Sequence, residues 1–495
     1  MSQEAAMKKT AFISIITAVI VLLVSCSTTA RTPSYEERRQ EFISAITTDR
    51  DLSEAETIVD EKLKVMKSEA DKQYTAIETY GIVNWNNGQS VHEGLLDFCR
   101  QLPKGGDLHV HDNTLVPITR YIEVLKKHGN VRICLEPGVN YGYLYPADYS
   151  PVPEGVVSLK EAMESGRFTE RDLVELLTTS EEDGAAVGIW VSFENIFSIT
   201  LALASDPELR TDLYEEGFRY ACENNILLVE SRVFFGTDDV DNLSLLECIR
   251  DAYYRVRKDY PDFRVRVIPV SGKNGFFPVE VGIESLRSAI RLSSIVKDEF
   301  DPEKTEDFII GLDLVNEEDS SKSLQEYAPF LTSEEVAASG LKLYLHGGES
   351  LRMNNREVID TYLIGAKRVG HGFNLYRYPE LMERFAKEEI AVEVCPMSNY
   401  RLGYVADLRL HPALIYLRSG IPVVICSDDG AYLTQEPLVN DYYAAILCWN
   451  LSLADIKKIT RNALIYSGLP QDQIDDLLAA WQKQWDSFIE EWSKD

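Results

Sequence analysis

The chain has 495 residues, of which 45% are hydrophobic and 26% charged, with a formal net charge of −30 and a pI near 4.7. This length and composition are typical of a globular protein with one large domain and an appendage, or with roughly two or three smaller domains. The strongly acidic balance repels phosphate polymers and argues against nucleic acid as a partner. A small neutral or cationic substrate is compatible with it.

The first elements in chain order are those of an exported lipoprotein. Lys8 and Lys9 precede an apolar run from Ala11 to Val24, which is too short for a transmembrane span. The run ends at Cys26, in a pattern similar to a bacterial lipobox; an ordinary signal peptide with an incidental cysteine is the alternative. We expect residues 1–25 to be a lipoprotein signal peptide. The protein would then be exported and anchored to a membrane of the bacterial cell envelope through lipid on Cys26, with the outer membrane or periplasm as its location.

A charged stretch without glycine or proline follows, from Tyr35 to about Tyr80. Ser53 and Glu56 form the pattern of a capping box and predict the start of a helix. An apolar stripe of this helix would comprise Ile58, Leu63, Met66 and Ala70. Such a stripe must be buried, either on the main domain or on a second subunit. We therefore expect residues 26–90 to be a tether and a helical extension, with a homodimer through these helices as one possibility.

From residue 91 to residue 495, short β-rich runs alternate with amphipathic stretches. The predicted strands are Asp107–Val110, Ile226–Val233, Phe263–Val270, Phe308–Leu314, Leu341–Leu345, Arg368–Val369, Ile390–Val394 and Ile421–Cys426. Strands alternating with helices in this way predict an α/β fold, a (β/α)8 TIM barrel. The gap from His111 to about Leu227 predicts several helices plus an insertion after strand 1. Helices at Ser452–Ser467 and Gln471–Trp492 would close the chain.

Residues that can bind a metal or move a proton follow four of these strands, at the end where barrel active sites are built. They are His109, His111, His346, Glu349, His371, Asp428 and Asp429. His109 and His111 are two residues apart on one strand and so face the same side. Three imidazoles and a carboxylate suit Zn²⁺ with an open position for water. The remaining histidines, His92, His128 and His411, are expected at surface or supporting positions.

These motifs together resemble the adenosine deaminase family, most closely its secreted branch related to adenosine deaminase growth factors. The matching stretches are Pro103–Asp112, Gly311–Val315, His346–Glu349, Lys367–Phe373, Glu393–Asn399 and Ser427–Asp429. The stretch Leu52–Asp71 also resembles the dimerisation extension of that branch. The resemblance implies zinc-dependent hydrolysis of a small-molecule purine nucleoside, adenosine and also 2′-deoxyadenosine, to inosine plus ammonia.

The resemblance also implies a role for each residue of the site. One Zn²⁺ per chain would be bound by His109, His111, His346 and Asp428. Further roles are proton donation to purine N1 by Glu349, a hydrogen bond to N7 from Asp429, orientation of the attacking hydroxide by His371, and contact with the ribose side by Asp112. The H-x-E and P-C-x-x-C pattern of the cytidine-deaminase type of zinc site is absent from this sequence.

The sequence departs from the family's pattern at three places. Gly347 and Ser350 replace an alanine and a threonine beside Glu349. Asn316 stands where the family usually has a glycine facing the purine, and its side chain would either shape the substrate pocket or face solvent. The stretch Ser271–Asn274 does not match the ribose-side pattern. The alternatives are therefore a deaminase of another 6-aminopurine or related aminated ring, and a non-catalytic binding or growth-factor-like protein on the same fold.

Overall fold

A computed structural model describes residues 33–39, 52–72, 92–138, 140–179, 188–300, 307–434 and 436–494, without the side chains of residues 113 and 297–300. The chain divides into two compact units, Met1–Asp51 and Leu52–Asp495. In the first unit only residues 33–39 are described, and residues 35–39 are helical. The expected signal peptide and Cys26 lie outside the described residues. Within the described ranges, no helix combines the length and apolarity needed to cross a membrane.

The strands of the second unit are β1 (Gly105–His111), β2 (Arg132–Cys134), β3 (Leu144–Tyr145), β4 (Val156–Ser158), β5 (Ile226–Phe234), β6 (Arg264–Gly272), β7 (Gly311–Val315), β8 (Lys342–Gly347), β9 (Arg368–His371), β10 (Ala391–Val394) and β11 (Val423–Ile425). The helices of its first half are α1 (Glu54–Asp71), α2 (Glu93–Gln101), α3 (Ile118–His128), α4 (Leu159–Glu164), α5 (Glu170–Leu177), α6 (Ile189–Thr200), α7 (Pro207–Glu223) and α8 (Asp239–Arg257). Those of its second half are α9 (Val279–Phe300), α10 (Leu324–Leu331), α11 (Glu334–Ser339), α12 (Glu357–Ile364), α13 (Pro379–Lys387), α14 (Pro396–Arg401), α15 (Ala413–Arg418), α16 (Gly430–Leu433), α17 (Val439–Cys448), α18 (Leu453–Ile465) and α19 (Gln471–Ser493).

Eight parallel strands form a barrel in the order β1-β5-β6-β7-β8-β9-β10-β11. A parallel bridge between Val110 and Asp428 joins the last strand to the first, and the backbone N–H of Asp428 donates to the carbonyl of His109 at 2.8 Å. The predicted (β/α)8 barrel is thereby confirmed, and every predicted strand overlaps an observed one. Strands β5, β6 and β10 are almost fully buried and rich in apolar residues, but each also carries buried charged residues, among them Arg232, Arg266 and Glu393.

The insertion between β1 and β5 holds a second sheet as well as helices. Its short strands β2, β3 and β4 are antiparallel, in the order β3-β2-β4. In sequence, helix α3 precedes this sheet, and helices α4 to α7 follow it and lead back to the barrel. The prediction of an insertion with several helices after strand 1 is confirmed. Its small sheet was not predicted.

Helix α1 packs against the C-terminal helices of its own chain. The predicted capping box is present, because Glu56 N–H donates to Ser53 Oγ at 3.3 Å and Ser53 N–H donates to Glu56 Oε2 at 2.8 Å. Helix α1 lies on α17, α18 and α19, and its buried apolar residues are Val59, Leu63 and Ala70. The prediction that Ile58 faces the core was wrong: Ile58 is 44% exposed, because Val59 and not Ile58 shares the buried face of the helix with Leu63 and Ala70.

Polar contacts also hold α1 in place. Glu56 Oε1 accepts from Trp485 Nε1 at 2.8 Å and from Lys457 Nζ at 2.6 Å. Leu453 N–H donates to Asp60 Oδ1 at 2.9 Å. The apolar stripe of the extension, as far as it is described, is therefore buried within the chain.

Candidate metal and catalytic site

The four residues predicted to bind the metal converge at the carboxyl end of the barrel. His109, His111, His346 and Asp428 each offer a ligand atom, and these atoms all lie within 4.8 Å of one another. Asp428 Oδ1 is 3.4 Å from His109 Nε2 and 3.3 Å from His111 Nε2. Asp428 has a φ of +58°, a backbone conformation that non-glycine residues rarely adopt. Such strain persists where the surrounding structure imposes it, as it does in functional sites.

Two of the histidines are oriented by buried carboxylates. His109 Nδ1 lies 2.9 Å from Glu393 Oε2, and His346 Nδ1 lies 2.7 Å from Asp313 Oδ2. Arg232 donates to both acids, from Nε to Asp313 at 2.8 Å and from Nη2 to Glu393 at 2.5 Å. Since a carboxylate accepts the N–H of Nδ1, each ring presents the lone pair of Nε2 to the cluster. This arrangement of acid and imidazole is typical of metal-binding histidines.

The donor set fits a divalent cation. His109 Nε2 is buried and makes no hydrogen bond with any described residue. A buried polar atom without a partner is costly, and this one faces three other ligand groups. Burial above all lowers the pKa of His346 to about 4, so its ring is neutral and free to coordinate. Three imidazoles and one carboxylate are ligands that zinc commonly takes.

The carboxyl of Glu349 lies beside this cluster. The side chain is buried. Burial, followed by the charges of Asp428 and Glu318, raises the pKa of Glu349 well above its ordinary value. Its Oε1 lies 3.4 Å from His371 Nδ1 and 3.4 Å from Asn399 Nδ2. A buried carboxyl that keeps its proton at neutral pH can act as a general acid.

His371 and Asp429 complete the predicted catalytic group. His371 Nε2 is 4.0 Å from Asp428 Oδ2, and burial lowers the pKa of His371 well below its ordinary value. A neutral imidazole at this place can accept a proton. Burial raises the pKa of Asp429 to about 7, against the opposing charge of His111. Asp429 Oδ1 is buried without a hydrogen-bond partner among the described residues, so it can bind a polar ligand.

The sequence is similar to known proteins across most of its length. The family described as "Adenosine deaminase" matches residues 279–484. Adenosine deaminase 2-A of Danio rerio is 27% identical over 421 residues, which cover 80% of this chain and 81% of that protein. Adenosine deaminase of Lutzomyia longipalpis is 26% identical over 494 residues, which cover 92% of this chain and 93% of that protein. These matches support membership of the chain in the adenosine deaminase family.

Solved structures show the same barrel. The N6-mAMP deaminase of Arabidopsis aligns with a TM-score of 0.57 at 18% identity, covering 78% of this chain and 99% of that chain. An amidohydrolase from Burkholderia ambifaria with bound Zn aligns with a TM-score of 0.56 at 16% identity, covering 84% and 100%. At these identities the likeness shows the fold alone. The matches to adenosine deaminases support a hydrolase that acts on C–N bonds in cyclic amidines, and the four converging groups are a candidate metal site.

Two predicted substrate contacts lie at the rim of the site. Asp112 follows β1, and its Oδ2 accepts a hydrogen bond from the Tyr214 hydroxyl at 2.6 Å. Asn316 follows β7 with a φ of +105°. Its Oδ1 is buried, makes no hydrogen bond with a described residue, and lies 2.6 Å from the position that a Cβ on Gly272 would occupy. The Asn316 oxygen is therefore folded against the end of β6 and does not face solvent.

The stretch Ser271–Asn274, which begins at the end of β6 and departs from the family's pattern, contributes to packing. Lys273 is buried, and its Nζ lies 2.5 Å from Glu357 Oε2 on α12. Glu357 Oε1 accepts the backbone N–H of Leu324 at 3.0 Å. The contacts of Lys273 thus join β6 to α12 and to the start of α10.

Other residues of the site were not predicted from the sequence. Asn399 Nδ2 contacts Glu349, and Asn399 Oδ1 lies 3.0 Å from Nε2 of the buried His411. The supporting position predicted for His411 is therefore confirmed, although its partner was not foreseen. His92 instead caps α2, accepting from Leu95 N–H at 3.1 Å, and His128 lies 3.1 Å from Asp206.

Proposed function

We propose that the protein is a zinc-dependent deaminase that hydrolyses adenosine, and also 2′-deoxyadenosine, to inosine plus ammonia. The observation that carries this proposal is the convergence of four ligand groups beside a buried carboxyl, Glu349, whose pKa is raised well above its ordinary value by that burial. A non-catalytic protein on the same fold would have no need for a buried carboxyl next to a ligand cluster. The names of the curated relatives support adenosine as the substrate.

The metal would be held by His109, His111, His346 and Asp428, as one zinc ion per chain. Zinc bound there would supply Lewis-acid chemistry and make a water nucleophilic near neutral pH. The carboxylates of Glu393 and Asp313 keep the first and third of these rings in the tautomer that can coordinate.

The proton transfers would be carried out by residues of the chain. Glu349 would protonate N1 of the purine, which makes the adjacent carbon that bears the amine electrophilic. His371, neutral because of its burial, would orient the attacking water and accept its proton. Asp429, whose pKa is raised to about 7 by burial, would donate a hydrogen bond from its protonated carboxyl to N7. Asn399 contacts both Glu349 and His371 and would keep their spacing.

Recognition of the sugar would fall to Asp112, whose carboxylate is oriented by Tyr214 at the rim of the barrel. Asn316 favours a second candidate, a deaminase of another 6-aminopurine or related aminated ring. Its amide occupies a place at the end of β7, close to Gly272, where the family usually has no side chain. An amide can hydrogen-bond a substituent that adenosine lacks.

The location and assembly remain part of the proposal. We infer an exported lipoprotein with a signal peptide at residues 1–25, lipid on Cys26, a tether and extension to residue 90, and the deaminase barrel over 91–495. A homodimer through the N-terminal helices would use a face of α1 other than the stripe buried against α19. Ile58 and Val65 lie on that outer side, 44% and 57% exposed.

The proposal is tested by following the ultraviolet absorbance of adenosine, 2′-deoxyadenosine, adenine and AMP with the purified protein. We expect turnover of the two nucleosides, inosine and deoxyinosine as products, and loss of activity with a chelator. If adenine or AMP is turned over in preference to adenosine, that compound is the substrate and adenosine is not. Turnover that a chelator does not change would contradict the metal mechanism.

A further inference from the structure

The backbone segment Gly348–Glu349, which carries the proposed general acid, is hydrogen-bonded by a second carboxylate, that of Glu318. Glu318, on the loop after β7, is 6% exposed. Its Oε1 accepts the backbone N–H of Gly348 at 3.1 Å, and its Oε2 accepts the backbone N–H of Glu349 at 2.8 Å. Both oxygens of one buried carboxylate are thus used on two successive amides. Hydrogen bonds from N–H groups to an ionised carboxylate are stronger than those between neutral groups.

The opposite side of this segment is also fixed. The carbonyl of Gly348 accepts from Asn374 N–H at 2.9 Å, and the carbonyl of Gly347 accepts from Gly372 N–H at 3.1 Å. Gly348 has a φ of +84°, and a Cβ there would lie 2.6 Å from Asn374 Oδ1. The segment therefore has little room, and Glu318 holds its N–H side while the neighbouring loop holds its carbonyl side.

Glu318 interacts electrostatically with a buried ion pair. Lys273 and Glu357 form that pair at 2.5 Å, and all three side chains are buried. Burial above all raises the pKa of Glu318 to about 7; the positive charge of Lys273 opposes this rise, and the negative charge of Glu357 adds to it. None of these three residues touches the predicted zinc ligands through its side chain in the contacts of the described residues.

We propose that Glu318 is the positioning residue of the general acid, holding the Gly348–Glu349 segment so that the Glu349 side chain meets the purine ring in a proton-donating arrangement. This inference rests on the proposed function, because it concerns the same reaction. The Glu318 carboxylate does not touch the substrate; it acts through the backbone of its neighbour. A misplacement of about 1 Å in a catalytic group can lower a rate by roughly 100-fold.

Two variants of Glu318 test its role in positioning the Gly348–Glu349 segment. Glu318→Gln keeps the size but turns one acceptor into a donor that faces a backbone N–H. Glu318→Asp keeps the charge but withdraws the carboxylate by one methylene, and so separates position from charge. For both, on zinc-loaded full-length protein with adenosine, we expect kcat to fall by about 10- to 100-fold, with KM within about threefold of wild type. Zinc content should stay at the wild-type level.

Asp319→Asn is the matched control. Asp319 neighbours Glu318 in sequence and contacts the same loop, but it accepts from the Ser350 hydroxyl at 2.5 Å and does not hold the amide of Glu349. The same carboxylate-to-amide change there should leave kcat within about twofold of wild type. Hydrogen exchange should also be faster over residues 347–350 in the Glu318 variants than in the control, a readout that does not depend on activity.

Wild-type kcat in both Glu318 variants, or an equal loss in the Asp319 control, would overturn the proposal. Loss of zinc or of folding in both variants would make Glu318 a structural residue and would overturn it as well. If the wild-type protein does not turn over adenosine, the proposed function fails instead. The exchange comparison then still decides whether Glu318 holds the segment.

Discussion

The pKa of Glu349 is raised well above its ordinary value because of where the barrel places the side chain. The side chain is buried, and Asp428, Glu318 and Asp429 surround it with negative charge, so its ionised form is disfavoured. The same residue at a solvated strand end would be a carboxylate at neutral pH and could not donate. The acid role predicted from the spacing of His346 and Glu349 is therefore supported by a physical cause that the spacing itself does not contain.

Glu349→Gln tests that role directly. The substitution keeps the size of the side chain but removes the transferable proton, so we expect kcat for adenosine to fall at least ~100-fold. Zinc content, measured by elemental analysis, should not change, because Glu349 is not among the four converging ligand groups. Turnover close to the wild-type value would rule out Glu349 as the proton donor.

Asn316→Gly tests the selection of the purine. Glycine adopts a φ of +105° without strain and would remove the amide that lies against Gly272. If Asn316 shapes the pocket, kcat/KM for adenosine relative to other 6-aminopurines should change by roughly tenfold, or ~1.4 kcal/mol. The comparison of adenosine with N6-methyladenosine measures it. Equal effects on every substrate, or none, would mean that Asn316 does not select the ring.

At the scale of single residues, the sequence predicts the groups that have a motif and misses those that only support them. His109 and His111 could be predicted as a pair of ligands because they are two residues apart on one strand and so face the same side. Asn399 and His411 carry no such pattern, because each is placed by its partner and not by its neighbours in the chain. Glu318 lies 30 residues before Gly348, and only the adjacency of β7 and β8 brings them together.

Helix α1 shows how an element is fixed by its tertiary contacts. The capping box could be read from Ser53 and Glu56, but the orientation of the helix could not. Both Ile58 and Val59 are apolar, so the sequence pattern alone does not decide which of them faces the core. The contacts of Glu56 with Trp485 and Lys457 turn the helix so that Val59 is buried.

Leu63→Ala tests the docking of this helix. Leu63 is fully buried against the C-terminal helices, so its truncation should lower the free energy of unfolding by about 2–4 kcal/mol. Val65→Ala, at a position 57% exposed on the same helix, is the control and should change it by less than about 0.5 kcal/mol. Urea unfolding followed by circular dichroism measures both. Equal effects of the two substitutions would show that α1 does not dock in this way.

Among the strands, the apolar run around each strand decided what could be predicted. The barrel strands lie within apolar runs that are visible in the sequence, including β11, which has three residues inside the run Ile421–Cys426. Strands β2, β3 and β4 have three, two and three residues, too few to show a period. Their sheet forms because the chain of the insertion returns on itself, which only tertiary structure reveals.

On the scale of the whole molecule, a network of buried ion pairs inside the barrel supports the predicted metal ligands. Arg232 bridges Asp313 and Glu393, and Arg368 bridges Glu393 and Glu230. Removing one member of such a network leaves an unpaired buried charge, which is strongly destabilising. The orientation of His109 and His346 therefore depends on this network. Substitutions of its residues are expected to affect folding and metal binding together.

Export and anchoring are properties of the whole chain that the sequence predicts through Cys26. If Cys26 carries lipid, Cys26→Ser should move the protein from the membrane fraction to the soluble fraction, because the acyl chains supply the membrane affinity. Fractionation followed by immunoblotting measures this. Mass spectrometry that finds an unmodified Cys26 in the mature protein would refute the lipid anchor.

The most direct test of the account is the turnover of adenosine by metal-stripped protein as zinc is added back. We expect no turnover without metal and a linear rise in rate that stops at one zinc per chain, since a single set of ligands is offered by His109, His111, His346 and Asp428. His346→Ala should shift or abolish that rise, whereas His128→Ala, outside the cluster, should leave it unchanged. Full activity in the stripped protein, or a rise that is unchanged by His346→Ala, would contradict a zinc-dependent deaminase at this site.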